Sequence, residues 1–254
     1  MNKLLIVCVL LFMSFYPSNL PWSPSYQEKI KEKLDNYYPL IQYYPSFVYP
    51  NEKVNELFAK KKTIYIFAYG SLLNPESAQR TISEEAVETS QPALAFGLKR
   101  IYNYYAGQKT HWITKAPKEE AMLNVEVTRK RDDLVNGALI KVDITQLKKL
   151  IEREKGYDLV PVLTMRWNDA ILENTQFHFI IAYTFTASSE PRLGKAYTQK
   201  GIYPIYGYNQ AVEKGAERFG DKFLNYLRTT TYLSDGITNL YEWELNQLPL
   251  TQSN

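Results

Sequence analysis

The chain has 254 residues, of which 45% are hydrophobic and 14% aromatic, so it can bury a sizeable core. Its formal net charge of +3 is too small to indicate a nucleic-acid partner. The only cysteine is Cys8, which excludes an internal disulfide, a cysteine metal site and a cysteine nucleophile in the body of the protein. The two histidines, His111 and His178, cannot form a zinc site by themselves, so we expect no metal.

Residues 1–22 are predicted to be a targeting segment. Lys3 is followed by an almost continuous apolar run from Leu4 to Phe15. A membrane-spanning helix needs about 20 apolar residues, and this run is shorter, so a signal peptide is favoured. We therefore expect export, either to a periplasm or out of the cell. The alternative is an uncleaved anchor over residues 4–16, which would associate the protein with a membrane.

Residues 23–62 are predicted to form an extension rich in tyrosine and proline. Apolar residues at helical spacing predict a short amphipathic helix from Tyr26 to Asn36. Tyrosine-proline steps follow, and because proline favours an extended backbone, we expect a strap packed on the domain. The alternative is a contact with a partner or a glycan. The steps end at Pro39, Pro45 and Pro50, and a second short helix is expected over Asn51 to Ala59.

The main domain is predicted to cover residues 63–245 and to begin with a strand, a turn and a helix. Thr63 to Tyr69 is an apolar, β-branched and aromatic run, which is typical of a buried strand. Gly70-Ser71 interrupts it, and Asn74-Pro75 is typical of a helix start. Such a turn can present backbone N–H groups to an anionic ligand. An ordinary tight turn without a ligand is the alternative.

The remaining elements indicate an α+β fold, a mixed sheet or small barrel with helices outside. The second predicted strand is Ala93 to Tyr102, with a bend at Gly97. The next two, Ala121 to Thr128 and Asn136 to Val142, are predicted to form a pair. The last two are Tyr157 to Trp167 and Phe177 to Thr186, which an Asn168-Asp169 turn would join. The predicted helices are Asp143 to Glu152, Ala211 to Phe219 and Asp221 to Thr229. An aromatic loop from Tyr102 to Trp112 would wall a small pocket, and residues 246–254 form a tail.

Two glutamates flank the end of the helix that starts near Asp143. Glu152 and Glu154 are two residues apart and do not share a helix face, so they are not a paired carboxylate site. Glu154 precedes Gly156, where the helix must stop, and this turn can direct its carboxylate inward. The alternative is a surface glutamate that pairs with Arg153 or Lys155.

Two short motifs resemble those of the gamma-glutamylcyclotransferase-like superfamily. The first is Tyr69-Gly70-Ser71-Leu72 after a hydrophobic strand, followed by Asn74-Pro75. The second is Glu154-Lys155-Gly156-Tyr157, placed after a helix that follows a strand containing Asn136-Gly137. The resemblance spans about Thr63 to Glu244, and it implies the mixed β-barrel with surrounding helices of that family.

The resemblance also implies a reaction, the closure of a γ-glutamyl group to 5-oxoproline with release of an amine or amino acid. Glu154 would inherit the role of general acid and base, the substrate would be a small γ-glutamyl molecule, and no cofactor or metal would be needed. The backbone N–H groups of Gly70, Ser71 and Leu72 would hold the glutamyl group, with Tyr69 shaping the pocket. The family strand usually carries a tyrosine where this chain has Phe185, which leaves the choice of substrate open.

Two other functions compete with this one. A non-catalytic member of the same fold would bind a γ-glutamyl or peptide ligand without turning it over. A hydrolase would use Ser71 as its nucleophile, but the Gly-x-Ser-x-Gly turn is missing and only two histidines could act as base. The sequence leaves open the leaving amine and the oligomeric state.

Overall fold

A computed structural model of the protein describes residues 22–47, 52–58, 62–106, 111–188 and 197–247. The strands in these ranges are β1 (Ile64–Ala68), β2 (Gln91–Phe96), β3 (Leu98–Tyr105), β4 (Glu119–Val127), β5 (Leu134–Val142), β6 (Tyr157–Arg166), β7 (Ile180–Ala187), β8 (Tyr203–Pro204) and β9 (Thr231–Tyr232). The α-helices are α1 (Pro24–Ile41), α2 (Pro75–Ala78), α3 (Glu84–Glu88), α4 (Ile144–Arg153), α5 (Trp167–Ile171), α6 (Tyr206–Glu217), α7 (Asp221–Thr229) and α8 (Leu240–Gln247). Short 3-10 helices cover Glu52–Phe58 and Ser71–Leu73.

Five of the strands close a barrel in the order β1-β5-β2-β6-β7. The closing contact between β1 and β7 is parallel, with Ile66 opposite Tyr183, and the other neighbours are antiparallel. A second sheet has the order β8-β4-β3-β9. The helices pack outside the strands, so the predicted α+β fold, a mixed barrel and sheet with surrounding helices, is confirmed.

The chain passes from the barrel to the second sheet at Gly97. The predicted single strand from Ala93 to Tyr102 is wrong, because β2 belongs to the barrel and β3 to the second sheet. Gly97 separates them with a φ of +71°, a conformation that residues with a Cβ rarely adopt. The bend predicted there is therefore a change of sheet.

The predicted pairing of β4 with β5 is also wrong. β4 pairs with β3 and β8, whereas β5 lies between β1 and β2 in the barrel. The loop between β4 and β5 folds against the Gly97 bend, where the Gly97 N–H donates to the Asp133 carbonyl at 2.8 Å and the Thr128 N–H donates to the Gly97 carbonyl at 2.9 Å. Both connections thus cross between the sheets at one place.

β6 and β7 pair antiparallel from Tyr157 opposite Ala187 to Thr164 opposite Ile180, as predicted. Their connection differs from the prediction, because Asn168 and Asp169 lie in helix α5 instead of a turn. The predicted helices near the end of the chain are present as α6 and α7, and α6 begins earlier than predicted.

Helix α1 is longer than the predicted Tyr26 to Asn36. Its apolar face, formed by Tyr26, Ile30 and Leu34, is buried in the same core cluster as the barrel residues. Pro39 lies inside the last turns of α1, so the expectation of an extended backbone at this step is wrong. Pro39 has no N–H to donate to the carbonyl four residues before it, and the helix ends two residues later at Ile41.

The segment after α1 packs on the barrel at Phe47, which is buried and exchanges two backbone hydrogen bonds with Leu159 of β6. The Tyr49-Pro50 step lies outside the described residues. The second predicted helix is the 3-10 helix Glu52–Phe58, and Asn51 and Ala59 are likewise outside the described ranges.

The predicted targeting segment lies outside the described residues except for Trp22. None of the helices in the described ranges has the length and apolar character needed to cross a bilayer.

Candidate active site

The loop that follows β1 is fixed at both ends by local hydrogen bonds. After Gly70 the chain makes one 3-10 turn and enters α2 at Pro75. Asn74 caps α2 as predicted, with its side-chain oxygen accepting from the Ser77 N–H at 3.1 Å. Because α2 has only four residues, its dipole is small. A ligand at this loop would therefore be bound by backbone N–H groups and only weakly by the dipole of the helix.

Glu154 stands at the point where α4 ends. Its N–H still donates to the Leu150 carbonyl at 2.8 Å, but its backbone has left the helical conformation. Gly156 then turns with a φ of +98°, and a Cβ there would lie 2.5 Å from the Tyr104 hydroxyl. This turn requires glycine, and it separates α4 from β6, where the sequence predicted that the helix must stop.

One small cavity, about 30 Å³ in volume, lies at the end of the barrel next to the loop. It brings together four of the five predicted site residues, namely Tyr69, Gly70, Leu72 and Glu154. The other lining residues are Phe67, Ala68, Leu123, Tyr157, Phe185 and Tyr208. A larger groove of about 730 Å³ lies elsewhere, beside the end of α1 and Gly97, and contains none of the predicted site residues.

Ser71 is the predicted site residue that does not line the cavity. Its hydroxyl accepts a hydrogen bond at 3.1 Å from Arg153, the last residue of α4. The same guanidinium lies 3.2 Å from the Glu154 carboxylate. The two interpretations of Glu154 from sequence, an inward carboxylate and a partner of Arg153, therefore hold at once.

Two opposing effects set the proton affinity of Glu154, whose side chain is 20% exposed. Burial raises its pKa because the charged form loses water, and the Arg153 guanidinium lowers it. Burial is the larger effect, and the pKa is raised above 4.5. The carboxyl group thus holds a proton more readily than an exposed glutamate does.

Tyr208, near the start of α6, lines the same cavity as Glu154. Its hydroxyl comes so close to the loop that a Cβ on Gly70 would lie 2.7 Å from it. Burial and the charge of Glu154 raise the pKa of Tyr208, and the backbone N–H groups of Ser71 and Leu123 act in the opposite direction. Sequence reasoning missed this residue, since its only signal was its place at the start of a helical stretch.

Two further tyrosines anchor the walls of the cavity. The Tyr69 hydroxyl donates to the Phe185 carbonyl at 2.7 Å, and the Tyr157 hydroxyl donates to the Leu123 carbonyl at 3.1 Å. Burial raises the pKa of Tyr69 and of Tyr157 well above the ordinary value, so both stay protonated. Although Phe185 supplies no hydroxyl, three phenol rings line the same space.

No protein-family model matches the chain, and no curated protein sequence does. Solved structures to which it is similar include a gamma-glutamyl cyclotransferase, with 15% identity, a TM-score of 0.47 and coverage of 66% of this chain and 88% of that one. YkqA from Bacillus subtilis has 18% identity, a TM-score of 0.47 and coverage of 69% and 55%. A glutathione-specific gamma-glutamyl cyclotransferase from yeast has 12% identity, a TM-score of 0.43 and coverage of 66% and 94%.

Two of these three structures are named gamma-glutamyl cyclotransferases. Identities of this size say nothing about catalysis, which the residues around the cavity must support by themselves.

Proposed function

We propose that this protein is a gamma-glutamylcyclotransferase, an enzyme that closes a γ-glutamyl group to 5-oxoproline and releases an amine or amino acid. The observation that supports the proposal is that Glu154 and Gly70 line one cavity, although they come from distant parts of the chain. A single carboxylate and a glycine-serine loop beside one cavity would supply the base and the backbone donors that this reaction needs.

The reaction is an intramolecular aminolysis. Glu154 removes a proton from the substrate ammonium, and the free α-amine attacks the γ-carbonyl carbon to close a five-membered ring. Glu154 passes this proton to the leaving nitrogen, and the bond from the γ-carbon to that nitrogen breaks. The ring nitrogen, which still carries two hydrogens, loses its second proton to the departing amine, which leaves as an ammonium. Because the nucleophile and the electrophile belong to one molecule, much of the entropic barrier is absent. A raised pKa suits a carboxyl group that must both accept and return a proton near neutral pH.

The loop would stabilise the negative charge that develops on the γ-carbonyl oxygen. The backbone N–H of Ser71 lowers the pKa of Tyr208, so this N–H is directed toward the space beside the Tyr208 hydroxyl, where we place the substrate oxygen. The cavity of about 30 Å³ is far smaller than ligand pockets, which usually measure about 300–1,000 Å³. A γ-glutamyl substrate would therefore need the cavity to widen as it binds.

The hydrolase alternative finds less support at the same site. The Ser71 hydroxyl accepts from the Arg153 guanidinium, which is not a base that could remove its proton. The binding-module alternative differs from the enzyme only in turnover and is settled by an assay. Export of the protein stays a prediction from residues 1–22.

The proposal is tested by incubating the protein with a panel of γ-glutamyl peptides and γ-glutamyl amines and detecting 5-oxoproline by mass spectrometry. We expect turnover of at least one member of the panel, and we expect Glu154→Gln to abolish it. Glu152→Gln is the matched control, because Glu152 is an exposed carboxylate that pairs with Lys155 at 3.1 Å. Activity that survives in Glu154→Gln would refute the acid and base assignment, and a panel that binds without turnover would favour the binding module.

A further inference from the structure

Arg153 joins the candidate acid and base to the loop across the cavity. Its side chain is 21% exposed, and its Nε lies 3.2 Å from Oε1 of Glu154. One guanidinium nitrogen, Nη2, donates to the Ser71 hydroxyl at 3.1 Å and to the Ser77 hydroxyl at 2.8 Å. The other, Nη1, donates to the Ser77 carbonyl at 2.6 Å and to the Thr81 hydroxyl at 3.4 Å.

These contacts connect elements that are distant in sequence. Glu154 belongs to the end of α4, whereas Ser71 and Ser77 belong to the loop and to α2. A guanidinium is planar and presents its donors in a fixed fork, so its partners are held in one relative geometry. The bond to the Ser71 hydroxyl also keeps this side chain on the Arg153 side of the loop, while Tyr69, Gly70 and Leu72 line the cavity.

The other cation next to Glu154 has no such role. Lys155 is 70% exposed and pairs with the exposed Glu152 at 3.1 Å. Of the two cations that flank Glu154 in sequence, Arg153 is the one bonded to the loop. Lys155 is therefore a matched control with the same charge at the same distance in sequence.

We propose that Arg153 is a positioning residue that holds the Glu154 carboxylate and the Gly70 to Leu72 loop in a fixed position relative to each other. Its effect on turnover rests on the proposed cyclotransferase function, whereas the coupling between the two parts does not. Removing the guanidinium would let α4 and the loop move relative to one another, and a displacement of about 1 Å at a reacting centre can cost about 100-fold in rate.

Two variants separate the charge of Arg153 from its geometry. Arg153→Lys keeps the cation near Glu154 but loses the fork that reaches Ser71 and Ser77, and Arg153→Gln loses both. The first readout is the titration of the Glu154 carboxyl by ¹³C NMR in the full-length protein, assigned by comparison with Glu154→Gln. Tyr69, Tyr157 and Tyr208 are the other titratable groups around this carboxyl, and their raised pKa values keep them neutral in the acid range.

We expect Arg153→Gln to move the midpoint of the Glu154 titration upward, because the guanidinium lowers that pKa. Arg153→Lys should keep most of the wild-type midpoint, and Lys155→Gln should keep all of it. The second readout is steady-state kinetics, where we expect Arg153→Lys to lower kcat about 10- to 100-fold with a smaller change in KM.

The titration and the kinetics test different claims, so the failure of one does not decide the other. A wild-type protein that turns over no γ-glutamyl substrate would refute the proposed function, and the titration would still test the coupling. An unchanged midpoint in Arg153→Gln would overturn the contact with Glu154. Wild-type kcat in Arg153→Lys, in an active enzyme, would overturn the positioning role, since that variant keeps the charge and lacks the fork.

Discussion

The carboxyl group of Glu154 lies where burial and a neighbouring cation act against each other, and burial has the larger effect. A base must be deprotonated in the free enzyme before it can accept a proton from the substrate. We expect kcat/KM for cyclisation to fall as the pH drops through the raised pKa, so that the midpoint of this limb lies above pH 4.5. The pH profile of kcat/KM measures it, and Glu152→Gln should leave the limb in place. A midpoint at or below 4.5 would contradict the burial of Glu154.

The same raised pKa makes a prediction about stability. A carboxyl group whose pKa is higher in the folded protein than in the unfolded chain favours folding in its protonated form. Its ionisation therefore destabilises the native state as the pH rises through both pKa values, and the cost is absent below the unfolded value. We expect Glu154→Gln to raise the melting temperature at neutral pH and to leave it unchanged well below pH 4.5. Scanning calorimetry at both conditions checks this, and a lower melting temperature at neutral pH would show that the pair with Arg153 outweighs burial.

At the scale of elements, the small cavity beside Glu154 lies where α6 approaches the loop after β1. Gly70 has no Cβ, and the Tyr208 hydroxyl occupies that space. We expect Gly70→Ala to impair folding or turnover, because its new methyl group would lie 2.7 Å from this oxygen. Adding Tyr208→Phe removes the oxygen and should restore part of the loss. A double-mutant cycle on thermal stability measures the coupling, and strictly additive effects would place the clash elsewhere.

Helix α1 shares its buried face with the barrel core, although its sequence indicates an extension outside the main domain. Leu34 is 1% exposed, whereas Leu40, near the end of the same helix, is 43% exposed. We expect Leu34→Ala to lower the free energy of unfolding by about 2–5 kcal/mol and Leu40→Ala to lower it by less than about 1 kcal/mol. Urea unfolding followed by circular dichroism compares the two. Equal small effects would mean that α1 folds apart from the barrel.

The elements that were predictable are those with strong local signals. An apolar run predicts β1, a capping residue predicts the start of α2 at Asn74, and an apolar stripe predicts α4. Each of these signals depends only on residues that are close together in sequence. The end of α4 was predictable for the same reason, since Gly156 indicates that the helix stops there. To predict that Gly70 and Glu154 lie beside the same cavity, the family resemblance was needed as well, because no local sequence signal indicates that these two residues are close together.

The predictions that were wrong concern contacts between segments that are far apart in sequence. β4 and β5 are consecutive and alternate well enough for a hairpin, but they belong to different sheets. Tyr208 and the Arg153 bonds to α2 were not predictable, because both arise from packing between segments far apart in the chain. Hydrophobic pattern fixes which face of a strand is buried, and it does not say which strand becomes its neighbour.

At the scale of the whole molecule, Arg100 ties the barrel to the second sheet. It lies on β3, is fully buried, and donates to the Asn136 carbonyl of β5 at 2.6 Å and to the Thr231 hydroxyl of β9 at 2.6 Å. Burial lowers its pKa to about 10, so it remains charged at neutral pH.

We expect Arg100→Met to lower the free energy of unfolding by about 3 kcal/mol or more, because several buried acceptors would lose their donor. The neighbouring Lys99 is the control, since it makes one bond at 2.7 Å to the Gly236 carbonyl near the surface, and Lys99→Met should cost less than about 1 kcal/mol. Urea unfolding measures both variants. An Arg100→Met protein as stable as Lys99→Met would show that the two sheets hold together without this residue.

The barrel places one carboxylate, Glu154, and the loop residue Gly70 beside the same cavity. Ring closure consumes no water, whereas hydrolysis adds one oxygen atom from water to the product. The most direct test is therefore turnover of a γ-glutamyl substrate in water enriched in ¹⁸O, with the products identified by mass spectrometry. We predict 5-oxoproline without ¹⁸O, formed by the wild type and not by Glu154→Gln. Glutamate that carries ¹⁸O as the first product would contradict the account.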